Sequence, residues 1–153
     1  MQLSKHFQLK EFTKSQIAAR NGISNNPDAY HIENLKLLCM HVLEPTRAYF
    51  NRVVAITSGY RSPQLCQAIG SLLTSQHAKG MAADFEINGI SNKEVSDWIY
   101  LNLHYDQLIL EYWTAEEANS GWIHVSYNSD KNRKEYLQAY KNQNNKTVYK
   151  ALP

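Results

Sequence analysis

No apolar run in this 153-residue chain approaches the roughly 20 residues that cross a bilayer as a helix, so no membrane-spanning helix is expected. Cysteine is scarce, with Cys39 and Cys66 the two present. Neither has a metal-type partner nearby, and Cys39 falls on the apolar face of a helical pattern. Buried free thiols are therefore the favoured reading, and nothing in the pattern requires a disulfide. The opening Met1-Gln2-Leu3-Ser4-Lys5-His6-Phe7 lacks the apolar stretch of a secretory signal. We expect synthesis in the cytoplasm with no export address. Repeats, an obvious domain boundary and nucleic-acid motifs are also missing, so a specific DNA or RNA role is not expected. The hydrophobic (43%) and charged (20%) fractions are ordinary for a globular protein. The length suits one domain that buries about two thirds of its unfolded surface.

What the chain does have is a dense constellation at Ser75-Gln76-His77-Ala78-Lys79-Gly80-Met81-Ala82-Ala83-Asp84, with a further histidine in Gly121-Trp122-Ile123-His124-Val125-Ser126. His77, Asp84 and His124 make two imidazoles and one carboxylate, a three-ligand set for zinc that leaves a fourth position for water. Gly80 permits a sharp turn between the first two ligands because it has no Cβ. Residues 82–87 alternate as a half-buried strand does, and so do residues 122–126. Ala83, Phe85 and Ile87 share one side of the first strand; Ile123 and Val125 share one side of the second. With both apolar rows on the core, Asp84 and His124 emerge together on the opposite side, and His77 arrives from the loop before. Taken singly, each residue has a plainer reading: a hydrogen-bonded strand histidine, a capping or ion-paired aspartate. Of the other histidines, His31 and His41 sit in a helical pattern, and His6 and His104 have no evident partner.

The coarse layout is α+β. A short helix is predicted over 9–20 and a turn over Ser24–Pro27. From Asp28 to about Phe50, Ile32, Leu35, Leu38, Cys39, Val42 and Leu43 recur at helical spacing, with a break or kink expected at Pro45. Val53–Thr57 reads as a strand. Pro63–Ile69 reads as a helix capped by Ser62, and another helix runs from Ser91 to about Tyr100 with Glu94 completing a capping box. Gln107–Glu111 and Trp122–Ser126 are predicted strands joined by a ten-residue loop. The expected fold is an antiparallel sheet with helices on one face and the metal site on the other.

The ordered motifs resemble the zinc D-alanyl-D-alanine carboxypeptidases and related L-alanyl-D-glutamate peptidases of peptidoglycan, which share a fold with the hedgehog signalling domain. Ser75-x-His77-x-x-Gly80-x-Ala82-x-Asp84 is similar to the first metal motif. Thr57-Ser58-Gly59-Tyr60-Arg61-Ser62-Pro63 is similar to the arginine segment, and Trp122-x-His124 to the strand carrying the third ligand. Phe7 to Glu11 and Asn34 to Leu38 resemble one branch of this family, which includes phage-encoded endolysins. The resemblance spans residues 3 to 127. It implies a zinc peptidase domain over 1–127 acting on the peptidoglycan stem peptide. Arg61 would anchor a substrate carboxylate or polarise the substrate close to the zinc; its plainer reading is a salt bridge to Asp84 or a bond to a loop carbonyl. Ser75 and Trp122 would lie beside the substrate. Two departures, Cys66 and the Ser71-Leu72-Leu73 run after Gly70, fall on the expected substrate side.

Hydrolysis also needs a carboxylate to take a proton from water and hand it to the leaving amine. Many relatives carry this glutamate three residues before the last histidine, where this chain has Gly121. The candidate is Glu111: strand parity puts Gln107, Ile109 and Glu111 on one side, and Leu108 and Leu110 on the other. Glu116 and Glu117 are rivals. The remaining residues, 128–153, carry six basic and two acidic groups in a chain of net charge +2, with Tyr136, Tyr140 and Tyr149 interleaved. This basic extension is expected to pack on the same domain as a helix or tail; attraction to an anionic envelope polymer is the functional alternative. The expectation is therefore a monomeric zinc peptidase, a D,D-carboxypeptidase or endopeptidase. A phage lysis enzyme reaching the wall through a holin-type release partner fits that description. A non-catalytic zinc-binding or cell-wall-binding module is the alternative. Cobalt or manganese bind similar ligands.

Overall fold

Alternating apolar residues build six strands into one sheet: β1 (Val54–Ser58), β2 (Ala82–Ile87), β3 (Gln107–Glu111), β4 (Trp122–Ser126), β5 (Glu135–Lys141) and β6 (Thr147–Ala151). The computed structural model describes the whole chain, Met1–Pro153. Strand order is β1-β2-β4-β3-β5-β6, and every neighbouring pair is antiparallel except β3 with β5. That parallel pair follows from the connection. The chain leaves β4 beside the start of β3 and crosses to the far side of β3. It then re-enters with Glu135 level with Gln107.

One face of the sheet is the core. Phe85, Leu108, Ile123 and Val125 are fully buried there against Leu35, Leu38, Val42, Val95 and Ile99 from the helical layer. Full burial of each such side chain contributes about 1.5–3 kcal/mol. The helices are α1 (Leu9–Thr13), α2 (Gln16–Arg20), α3 (Ala29–Leu38), α4 (Glu44–Phe50), α5 (Pro63–Ile69) and α6 (Asn92–Asn102). The predicted helix over 9–20 is two pieces, because Lys14 is extended and the Ser15 hydroxyl caps α2 by accepting from the Ala18 N–H.

Pro45 does not break the 28–50 helix. It sits in the first turn of α4, just after a π-turn at Cys39–Leu43 whose carbonyl at Cys39 accepts from Glu44 N–H. A proline ring clashes with the carbonyl four residues back; widening the preceding turn relieves that clash while the axis continues. Cys39 and Cys66 are both buried and free, and burial pushes the Cys39 thiol up to about 12.

Residues 135–151 are neither helix nor loose tail but two strands that extend the same sheet. Tyr136 explains the attachment: its ring is buried on the core face, and its hydroxyl lies 2.7 Å from Ser96 Oγ and donates at 2.7 Å to Asp97 Oδ1 on α6.

Candidate active site

The opposite face of the sheet carries the functional side chains. Asp84 on β2 and His124 on β4 are direct cross-strand partners, and Ile109 on β3 continues the same row. His77 comes from a short 3-10 turn, Gln76–Lys79, that leads into β2. Ser75 caps this turn by accepting from the His77 N–H at 3.2 Å. Gly80 ends it at φ +71° with the His31 carbonyl only 2.4 Å from where a Cβ would stand, so no side chain fits. Asn34, from the helix motif Asn34 to Leu38, donates to the Lys79 carbonyl at 2.8 Å and ties the turn to α3.

These elements converge. His77 Nε2 lies 3.4 Å and His124 Nδ1 3.0 Å from Asp84 Oδ1, and one ligand atom from each residue lies within 4.8 Å of the others. The Nδ1–H of His77 donates to the Gly59 carbonyl at 2.7 Å. That bond fixes the tautomer and leaves Nε2 free to act as a ligand atom, the outer-shell arrangement that metal-bound histidines use. Burial holds the His77 imidazole below its usual range, hence neutral. Burial alone would raise Asp84, but the His77 and His124 rings beside it overcome this and hold the carboxyl well below the ordinary range. Two imidazoles and an ionised carboxylate form the donor set a divalent metal takes. The three residues fit a metal ion.

Arg61 stands on the far side of Asp84. Its Nη2 donates to Asp84 Oδ2 at 3.3 Å and its Nε to Ser58 Oγ at 3.1 Å. The ion pair that sequence reading left as the plainer alternative is therefore formed, on the oxygen that the histidines do not share. The backbone here is held by a residue that sequence reasoning treated as part of a turn. Asn25, buried, donates to the Thr13 and Tyr60 carbonyls (2.9 and 3.0 Å) and accepts from Ser62 N–H (2.7 Å). Arg61 N–H itself donates to the His77 carbonyl at 3.1 Å, so the arginine segment and the first ligand are positioned together.

Glu111 is opposite Trp122 across the β3–β4 ladder, two residues beyond Ile109 on the same side as His124. Burial raises its carboxyl above the ordinary range; His124 and Arg61 oppose this and Asp84 adds to it. Glu111 is thus a half-buried carboxylate on the sheet face that carries His124. Its rivals Glu116 and Glu117 are exposed on the following loop. The Trp122 ring packs against Tyr112 at 5.4 Å.

A cleft of about 910 Å³ runs along this face, with His124 and Gln107 in its lining and Ser75 and Gln76 on one wall. The other wall is Asn128, Lys131, Arg133 and Tyr149 from the C-terminal extension, which motif reading could not assign. Arg61 lines a separate pocket of about 290 Å³ with Thr57 and Ser58, while Glu111 and Trp122 line neither. Among the remaining histidines, His6 pairs with Glu44 at 2.7 Å, His31 shares capping bonds with Asp28, and His41 stacks on Tyr127 at 4.5 Å.

No curated protein sequence matches the chain. Residues 5–126 match the family described as Peptidase M15, a segment that holds His77, Asp84, His124, Arg61 and Glu111. The chain belongs to the peptidase M15 family of metallopeptidases.

Proposed function

We propose that this metallopeptidase uses zinc to hydrolyse amide bonds in peptidoglycan stem peptides, as a D,D-carboxypeptidase or as an endopeptidase. The observation that carries the reading is the set of three ligand atoms within 4.8 Å of one another, with a carboxylate base candidate projecting from the same sheet face. His77, Asp84 and His124 would hold the metal. Bound there, zinc would supply Lewis acidity to the scissile carbonyl and make a water acidic near neutral pH.

The chain's own residues supply the rest. Glu111 accepts the proton of the attacking water and passes it to the leaving amine; its raised pKa suits both halves of that shuttle. Arg61, with Nη1 uncommitted beside Asp84, meets negative charge on the substrate, either a terminal carboxylate or the developing oxyanion. Ser75 orders the His77 turn, and with Trp122 it borders the substrate path. Gln107 and His124 form the cleft lining on which an extended peptide lies.

The test is mass spectrometry of defined muropeptides incubated with zinc-loaded protein, with His77→Ala as control. Loss of a terminal alanine identifies a carboxypeptidase. Cleavage within the stem identifies an endopeptidase, the activity that a phage lysis enzyme released by a holin-type partner would use. Stoichiometric zinc with every muropeptide intact would overturn the peptidase reading in favour of a binding module.

A further inference from the structure

The wall of the cleft built by residues 128–149 lies beyond residue 126, where the family match ends. Two cations stand on it, Arg133 and Lys131, and they differ in what they already hold. Arg133 is spent on Asp106: its backbone N–H, Nε and Nη2 donate to the two carboxylate oxygens at 2.9, 2.9 and 3.0 Å. Gln76 donates to the same carboxylate at 2.7 Å. Asp106 is buried and saturated, so this pair adds no net charge to the cleft.

Lys131 has no ion pair, its sequence neighbour Asp130 included, and no hydrogen bond from its ammonium. It is carried on a structured turn in which Asn128 N–H donates to Asn132 Oδ1 and Asp130 N–H to Asn128 Oδ1, both at 2.9 Å. The turn fixes where the lysine stem leaves the backbone, and the side chain lines the cleft that includes His124. The lining residues are mostly polar, with Leu72 and Tyr149 the apolar ones. A groove with one uncompensated cation on its wall is suited to a carboxylate on an extended substrate.

We propose that Lys131 binds an internal carboxylate of the peptide, so that this chain prefers stem peptides with a free internal carboxyl group over their amidated forms. The inference rests on the peptidase reading for the identity of the substrate, but its residue and its charge requirement are separate from the metal chemistry. Arg61 and Lys131 line separate pockets, so the two cations meet different parts of the substrate. A neutral amide at the same position has neither the charge nor two acceptor oxygens.

The test uses L-Ala-γ-D-Glu-L-Lys-D-Ala-D-Ala with the glutamate α-carboxyl either free or amidated. Each peptide is titrated calorimetrically into zinc-loaded full-length Glu111→Gln protein, so that binding is read without turnover. The free acid is expected to bind about tenfold more tightly than the amide. Lys131→Met should abolish that ratio and leave binding of the amide unchanged, and Lys131→Arg should keep it. Equal binding of the two peptides, a ratio that survives in Lys131→Met, or no binding of either would overturn the proposal. Cleavage by the wild-type protein is scored separately: cutting without a Lys131-dependent preference removes the subsite alone, whereas a Lys131-dependent preference without cutting removes the peptidase reading alone.

Discussion

The backbone carbonyl of Glu111 occupies the space a side chain at Gly121 would need. A Cβ on Gly121 would lie 1.9 Å from the Glu111 oxygen and 2.8 Å from the Tyr112 carbonyl carbon, and Gly121 adopts φ +69°. The relatives' glutamate three residues before the last histidine therefore has no counterpart that this backbone can hold. The departure at Gly121 follows from close packing of this loop on the backbone at the end of β3. Gly121→Glu is expected to lose stability rather than add a base. Left-handed strain of about 1–2 kcal/mol would add to overpacking of about 1–3 kcal/mol. Thermal denaturation of Gly121→Ala and Gly121→Glu measures this; wild-type melting temperatures in both would show that the loop gives way freely.

Glu111→Gln should reduce peptide hydrolysis by about 10²- to 10⁴-fold, the range for loss of a general base, while zinc content stays at the wild-type value. The same substitution has a distinct signature in the metal-free protein. Burial raises the folded-state pKa of Glu111 above its unfolded value, so ionisation opposes folding at pH values above that raised pKa. The opposition fades as pH falls through it, because the group then folds protonated. Metal-free Glu111→Gln should therefore melt higher than wild type at neutral pH, and the gap should close on acidification. A variant less stable than wild type at pH 7 would mean that the carboxylate makes a favourable contact in the folded state.

Zinc should raise the melting temperature of the wild-type protein by preferential binding to the folded state, about 2.7 kcal/mol at one hundred times the dissociation constant. His77→Ala, Asp84→Ala and His124→Ala should each lose most of that rise. Titration followed by calorimetry gives the affinities directly. A rise that persists in all three variants would put the metal elsewhere.

The site was legible in the sequence to the extent that strand parity governs it. Asp84, His124 and Glu111 share a face because side chains alternate with period two, and the register of β2, β4 and β3 places them in adjacent rows. The helix over Pro63–Ile69 and its Ser62 cap were likewise local information. What local patterns do not carry is long-range partnership. The Gly59 carbonyl that sets the His77 tautomer is 18 residues away. Asn25 holds the arginine segment across 35 residues, although its own surroundings read simply as a turn. The C-terminal strands were missed for the same reason. Lysines and asparagines dilute their alternation, and their apolar contribution rests on a few residues such as Tyr136 and Ala139, whose burial depends on α6 and β3. The π-turn before Pro45 is a compromise between one proline and an apolar stripe on both sides of it, and each taken alone predicts a different outcome.

Asn25 offers the sharpest separation of positioning from stability. Its side chain satisfies two carbonyls and one N–H around Arg61, and Arg61 N–H is bonded in turn to the carbonyl of His77. Asn25→Ala leaves buried polar groups without partners, at about 1–3 kcal/mol, and frees the segment that orients both Arg61 and the first ligand. Loss of such outer-shell support typically costs 10- to 100-fold in metal affinity or activity. Thr46→Val is the matched control. Thr46 is also buried and donates to the Val42 carbonyl at 2.7 Å, but in α4, on the helical side of the sheet, and it should lower the melting temperature without changing zinc affinity. If Asn25→Ala and Thr46→Val destabilise the fold alike and zinc affinity is the same in both, Asn25 is a structural residue and the arginine segment holds its place without it.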